Sequence, residues 1–261
     1  MLTSHAVGAD ELRAALGAGE IVPWYQPIID LTSGDVHGVE ALARWHRPDG
    51  LLSPADFVPL AEASDMVIEL DLAVIRQALA DLGRWQHTRP GFELNVNVSG
   101  RHLDSSTGVA QVIAAVEEAG VPPGSVCIEL TESARPASAD VGAAGLDTLR
   151  GHGLPVWLDD FGSGYYGLRD LIRLPVNGIK FDRSFTAELN RPRTAPLIGA
   201  LTEAAHRMGL RVTVEGIETA TQAAAVRQLG CDLGQGYLWS PALSAEKLEG
   251  WLSTSTPAVP A

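Results

Sequence analysis

Cysteine is scarce in this chain of 261 residues, which holds only Cys127 and Cys231. Neither lies in a Cys-x-x-Cys pair or a Cys/His cluster, so there is no disulfide framework to read. The expectation is two packed thiols in a reducing, cytoplasmic compartment. Long apolar runs are also missing. None approaches the ~20 residues that span a bilayer, so no membrane segment is expected. Met1–Glu20 carries acids and an amphipathic stretch with Leu12 and Leu16, unlike the basic and then apolar start of a signal peptide. The sequon Asn97-Val98-Ser99 therefore has no secretory context. Positive charge is in deficit: 19 Lys and Arg against 32 Asp and Glu leave a net charge of −13. That balance argues against nucleic acid polymers, whose non-specific affinity comes from Lys and Arg neutralising phosphates. A small phosphorylated ligand stays open, because bound cations can dominate the local field. The seven histidines (5, 37, 46, 87, 102, 152 and 206) are scattered without an HxH or HExxH pattern, which argues against zinc.

What remains is an ordinary globular composition, 46% hydrophobic and 20% charged, on a chain long enough to bury a large core. Short β-rich runs occur at 21–30, 36–45, 92–99, 126–130, 156–160, 178–182, 211–216 and 234–239. The first two read as a hairpin joined through Gly34-Asp35. Helical patterns separate the rest. In 66–86, Ile68, Leu72, Ile75, Leu79 and Leu82 recur at three and four residues, a single apolar stripe. The segments 197–208 and 220–229 look similar. Strands alternating with helices imply a parallel sheet with helices outside, and roughly eight units suit a closed barrel. The expected fold class is α/β, a TIM-type (β/α)8 barrel with an irregular, antiparallel first strand. The expected organisation is a helical lead-in over 1–20, a barrel over 21–252 and a disordered tail over 253–261.

Parity along the strands supports a barrel over an open sheet. Phe92, Leu94, Val96 and Val98 share one face, with Glu93, Asn95 and Asn97 on the other. Glu129 opposes Val126, Ile128 and Leu130. Lys180 and Asp182 oppose Ile179 and Phe181, and Thr213 and Glu215 oppose Val212 and Val214. Each polar group sits near a strand's C-terminal end, the rim where β/α barrels carry their chemistry. Glu40, Asn97, Glu129, Asp159, Asp160 and Glu215 all fall there. Any one of them alone would be a solvated edge residue. Five converging carboxylates would repel one another unless protonated or neutralised, and hard divalent cations such as Mg²⁺ or Mn²⁺ are the natural neutraliser.

Gly162, Gly164 and Gly167 match the dinucleotide-binding GxGxxG after a strand and before a helix. Asp159 and Asp160 immediately before them would repel a pyrophosphate, so a nicotinamide oxidoreductase is remote and the glycines read as a loop beside an aspartate pair. Lys180 could snorkel from the rim or hold an attacking water. Arg44 suits a phosphate through its planar fork, or a surface salt bridge.

The run Glu40-Ala41-Leu42, flanked by Tyr25-Gln26-Pro27-Ile28 and Ala43-Arg44-Trp45, resembles the signature of the EAL family. Further blocks follow in the family's order: Pro54 with Phe57-Val58-Pro59 and Glu62, Asn95–Ser99, Glu129-Leu130-Thr131-Glu132-Ser133, and Asp159–Tyr165. After these come Leu174-Pro175 with Ile179–Phe185, Val214–Thr219 and Gln235-Gly236-Tyr237-Leu238. The resemblance spans about 21–251. It implies metal-dependent hydrolysis of cyclic di-GMP to linear pGpG by a homodimer using two Mg²⁺ or Mn²⁺ ions. It further implies that Glu40, Asn97, Glu129 and Asp159 hold one ion, and that Asp159, Asp160 and Glu215 serve the second. Lys180 and Glu215 would be catalytic, and Gln26, Leu42, Arg44 and Asp182 would contact substrate. Gln235, Glu132 and Glu218 would support the site and its loop. The chain departs from the family at Trp239-Ser240-Pro241-Ala242-Leu243 and at Tyr166-Gly167. Those departures leave room for a second reading, a non-catalytic receptor of cyclic di-GMP.

Overall fold

The computed structural model describes residues 8–130, 139–163 and 167–254. From the N-terminus come α1 (Ala9–Ala18), β1 (Ile21–Asp30), β2 (Val36–Arg47), β3 (Gly50–Leu52), α2 (Pro54–Ala63) and α3 (Val67–Gln86). Strand–helix pairs follow: β4 (Glu93–Val98) and α4 (Ser106–Ala119), β5 (Val126–Leu130) and α5 (Ala139–Gly151), β6 (Val156–Phe161) and α6 (Leu168–Arg173). Next are β7 (Gly178–Phe181) with α7 (Arg183–Ala187) and α8 (Thr194–Arg207), β8 (Arg211–Val214) with α9 (Ala220–Gln228), and β9 (Leu233–Gln235) with α10 (Ala245–Thr254).

Eight of the strands close on themselves in the order β1-β9-β8-β7-β6-β5-β4-β2, because β1 also pairs with β2; β3 hangs outside the ring on β2. From β2 through β4 to β9 each ring neighbour is parallel, whereas β1 runs antiparallel to both β2 and β9. The chain is thus an eight-stranded β/α barrel whose first strand is reversed, as the hairpin signal implies. The reversal follows from connection length. A tight turn after Asp30 returns the chain antiparallel, while every parallel step requires a helical crossover.

The alternation of the strands sorts their side chains into two sets. Outward residues such as Leu94, Val96, Ile128, Leu158, Ile179 and Val212 join the large core beneath the helices. The α3 stripe of Leu72, Ile75, Leu79 and Leu82 lies in that same core. Inward residues fill the barrel. Ile28, Cys127, Trp157 and Leu233 form a small apolar cluster there, with Gly178 flat against the Trp157 ring. Both cysteines are free and buried. A third cluster gathers α1, α2 and the β2 end, with Leu12, Trp45, Phe57 and Leu70 buried and the Trp45 and Phe57 rings edge-on at 5.8 Å.

Three details differ from the expected elements. The last strand stops at Gln235 rather than continuing to Trp239. At Gly236 the backbone presses on the loop after β8, where an added Cβ would lie 2.0 Å from the Ile217 carbonyl oxygen. Ile217 N donates to Gln235 O and Leu238 N to Ile217 O, so loop contacts replace the ladder. The short β3, which pairs Trp45 with Leu52, was not anticipated. α10 runs through Thr254, two residues into the expected tail. Among the described residues no helix is long and apolar enough to cross a membrane.

The contact at Gly236 gives a first expectation. Gly236→Ala must displace the loop after β8 and should lower stability by roughly 1–3 kcal/mol, the usual effect of overpacking. Urea unfolding reads this as a shifted midpoint at constant slope.

Candidate active site

At the C-terminal mouth the inward-facing strand ends meet around one buried ammonium. Lys180 Nζ, on β7, lies 3.1 Å from Glu40 Oε2, 2.9 Å from Glu129 Oε2, 2.9 Å from Asp159 Oδ1 and 2.7 Å from Glu215 Oε1. These carboxylates come from β2, β5, β6 and the residue after β8. The polar strand faces read from the sequence therefore converge. Amides complete the cluster. Asn97 Nδ2 donates to Glu40 Oε1 at 2.9 Å, and Gln235 Nε2 donates to Glu40 Oε2 at 2.9 Å and to Gln26 Oε1 at 3.0 Å. Gln26 Nε2 in turn reaches the Ser240 carbonyl at 3.2 Å.

Asp159 and Asp160 are consecutive, and strict alternation would send them to opposite faces. The β6–β7 ladder slips between Leu158 and Phe161, so both aspartates oppose Lys180 alone. Asp160 takes φ +50°, in the left-handed region, and its carbonyl accepts from the Ser163 amide and hydroxyl. This bulge re-aims the second carboxylate, a device common beside active sites. Glu215, just after β8, is held by its backbone: Thr186 Oγ1 donates to Glu215 O at 2.9 Å. Beyond it, Thr219 and Gln222 form a reciprocal capping box that starts α9 and anchors the loop carrying Glu218.

One ammonium faces four carboxylates, and it has three protons to give them. Asp159 Oδ1 lies 2.9 Å from Nζ, and Gln235 Oε1 is buried without a donor. Burial pushes Glu129 well above the ordinary carboxylate range, and nearby Glu40 adds to it. Asp159 is raised by burial against the pull of Lys180, and burial takes Glu215 up to about 8. Glu40 goes the other way. Burial opposes it, but the Lys180 charge and the bonds from Asn97 and Gln235 together hold it below the usual value. Burial would lower Lys180, yet the four surrounding carboxylates drive it well above its ordinary value. The donor set suits a hard divalent cation: all oxygen, and with more negative charge than the lysine balances. Two trios share Asp159, namely Glu40/Glu129/Asp159 and Asp159/Asp160/Glu215, each with ligand oxygens within 4.8 Å of one another.

Two cavities open from this cluster, both touching Glu40, Leu42 and Asp159. One, of about 320 Å³, is further lined by Gln26, Arg183, Glu215, Glu218, Gln235 and Tyr237. The other, of about 230 Å³, runs between β2 and α3 past Asn97, Ser99 and Asp71. Arg44 lines neither cavity. Its guanidinium lies 5.8 Å from the Trp24 ring centre and donates to Ala43 O, and burial lowers its pKa. Asp182 instead caps α7 by accepting from Ser184 N at 2.9 Å. Glu132 and Tyr166 lie outside the described residues. Sequence reasoning assigned no part to Asn95, Arg183 or Tyr237. Asn95 shares the inward face of Asn97, and Arg183 lies two residues past a rim strand, so position alone could have pointed to both.

A closed β/α barrel with a carboxylate-ringed mouth defines the class of protein. Residues 9–242 match the family described as EAL domain, and the chain belongs to that family. The cyclic di-GMP phosphodiesterase NbdA of Pseudomonas aeruginosa is 38% identical over 93% of this chain and 31% of its own length. The probable cyclic di-GMP phosphodiesterase PdeB of Escherichia coli is 35% identical over 92% of this chain and 46% of its own. A solved structure of the PaMucR phosphodiesterase in complex with c-di-GMP superposes with a TM-score of 0.84 at 32% identity, covering 92% of this chain and 98% of that one. The chain spans about a third of the length of the first curated relatives it matches.

The raised carboxylates set a pH dependence for the metal-free protein. Glu215 goes from 4.5 to about 8 on folding, so between those values the folded state holds a proton that the unfolded chain has released. Stability from that proton is complete below about pH 4.5 and is lost as pH rises through about 8. In chelator, Tm should fall across this window, fall less in Glu215→Gln, and flatten with saturating Mn²⁺, which replaces the protons. Calorimetric scans at stepped pH check all three.

Proposed function

We propose that this chain hydrolyses cyclic di-GMP to linear pGpG at the barrel mouth, using two Mg²⁺ or Mn²⁺ ions. The observation carrying this reading is the pair of oxygen trios sharing Asp159, set against one buried lysine. Glu40, Asn97, Glu129 and Asp159 hold one ion, and Asp159, Asp160 and Glu215 hold the other. Bound there, such a pair acidifies water and offsets the charge growing on the entering and leaving oxygens of the phosphodiester. Lys180 orients the attacking water through Nζ. Glu215, whose Oε1 lies 2.7 Å from Lys180 Nζ, takes its proton. Gln235 holds Glu40 and Gln26 in register from behind. Leu42 and Gln26 present the cavity wall to the dinucleotide, with Arg183 supplying positive charge at its edge, Arg44 adding charge from beyond the lining, and Glu218 facing it. Asp182 acts from farther out, by starting α7 beneath Arg183.

The names of the relatives support the substrate, and the oxygen-only donor set supports the cations. The working form is a cytoplasmic homodimer in this reading. Its support is the resemblance, together with the exposed Leu168 and Ile172 one turn apart on α6.

Purified protein incubated with Mg²⁺ or Mn²⁺ and cyclic di-GMP should release the linear dinucleotide, followed by anion-exchange chromatography. Glu40→Ala should lower kcat/KM by more than ~100-fold, beyond the ~10–100-fold typical of groups standing behind a ligand. Lys180→Met should lower kcat by roughly 10²–10⁴-fold, the scale of positioned proton transfer. Tight binding of cyclic di-GMP in chelator, with no turnover on adding either metal, would replace the enzyme by the receptor reading.

A further inference from the structure

We infer that Asn95 is a positioning residue that holds the Glu129 carboxylate in its ion-binding orientation, an assignment that rests on the two-ion reading above. Asn95 lies on β4 two residues before Asn97, on the same inward face and one step deeper in the barrel. It pairs across the sheet with Glu40 on β2 and Cys127 on β5. Its side chain is buried, and Nδ2 donates to Glu129 Oε1 at 2.6 Å. The other oxygen, Oε2, accepts from Lys180 at 2.9 Å. Glu129 is therefore gripped at both ends. Turning the carboxylate breaks a charge-assisted bond at one end or the other, in a place without solvent to replace it.

Glu40 is held in a matching way, by Asn97 on Oε1 and by Lys180 and Gln235 on Oε2. The two carboxylates thus share one lysine, and each has its own amide. For Glu40 the amide comes from the rim. For Glu129 it comes from below, beside the apolar cluster of Cys127 and Trp157. Outer partners of this kind fix the direction from which a ligand oxygen meets a cation, and their loss typically weakens metal binding by ~10–100-fold.

The test is Mn²⁺ titration calorimetry on the metal-stripped full chain without substrate, comparing wild type, Asn95→Leu, Glu129→Ala and the double variant. Asn95→Leu is expected to weaken Mn²⁺ binding by ~10–100-fold. It should weaken binding no further in the Glu129→Ala background, and should leave KM for cyclic di-GMP at saturating Mn²⁺ unchanged. Wild-type affinity in Asn95→Leu, or an equal loss in both backgrounds, overturns the assignment while the two-ion reading stands. A wild-type chain that binds no Mn²⁺ defeats that reading and the assignment with it. Circular dichroism checks folding. If Asn95→Leu does not fold, Asn95→Ser, whose hydroxyl is too short to reach Glu129, takes its place in the same cycle.

Discussion

The arrangement on which the rest of the structure depends is the meeting of Lys180 with Glu40, Glu129, Asp159 and Glu215 inside a closed ring of strands. Four carboxylates and one ammonium leave an excess of negative charge in a place largely removed from water. Burying unpaired charge is among the costlier acts in folding, and like charges in contact add to it. Without a cation, protons must do part of the neutralising, which is why three of the carboxylates are pushed upward and only Glu40 is pulled down. In the proposed function the same cluster serves as the ligand set for cations. Folding energy and metal binding are thus two readings of one electrostatic deficit.

A barrel can tolerate this because its other faces are conventional. The outward sides of the strands are packed under helices in one large apolar core, and α1 and α2 close a further core over Trp45 and Phe57. Inside, Ile28, Cys127, Trp157 and Leu233 fill the barrel and exclude water there. These apolar clusters hold the strands whose ends carry the polar mouth. Loops then trim the site. Gly236 allows the chain after β9 to lie on the loop after β8, and the Thr219–Gln222 box fixes that loop at its far end.

Much of this was legible before the structure, for a definite reason. A strand buried on both faces of a barrel shows apolar residues toward the helices and whatever the interior needs on the other side. Glu129 between Ile128 and Leu130, and Lys180 between Ile179 and Phe181, therefore announce an inward polar face. The stripe of α3 was equally plain. What could not be read were the contacts that depend on closeness in space. The β9 strand ends early because another loop presses on Gly236. Asp182 shares the parity of Lys180 but is spent as a helix cap, since it lies one step beyond the strand. Asn95 is one more inward amide in the sequence, and only the structure shows its partner on the neighbouring strand, Glu129.

The amino-acid sequence alone determined the alternating strands and helices, the reversed first hairpin, the EAL-type motifs and the set of acids at the strand ends. Those are local or periodic properties, set by a residue and its near neighbours. Only the tertiary structure decided that Asp159 and Asp160 both oppose Lys180, because that requires a slip in the β6–β7 register and a left-handed residue at Asp160. It also decided which amide grips which carboxylate oxygen. Asn95 meets Glu129 and Asn97 meets Glu40 because their strands are sheet neighbours, whereas closure of the ring is what brings Lys180 and Gln235 to Glu40.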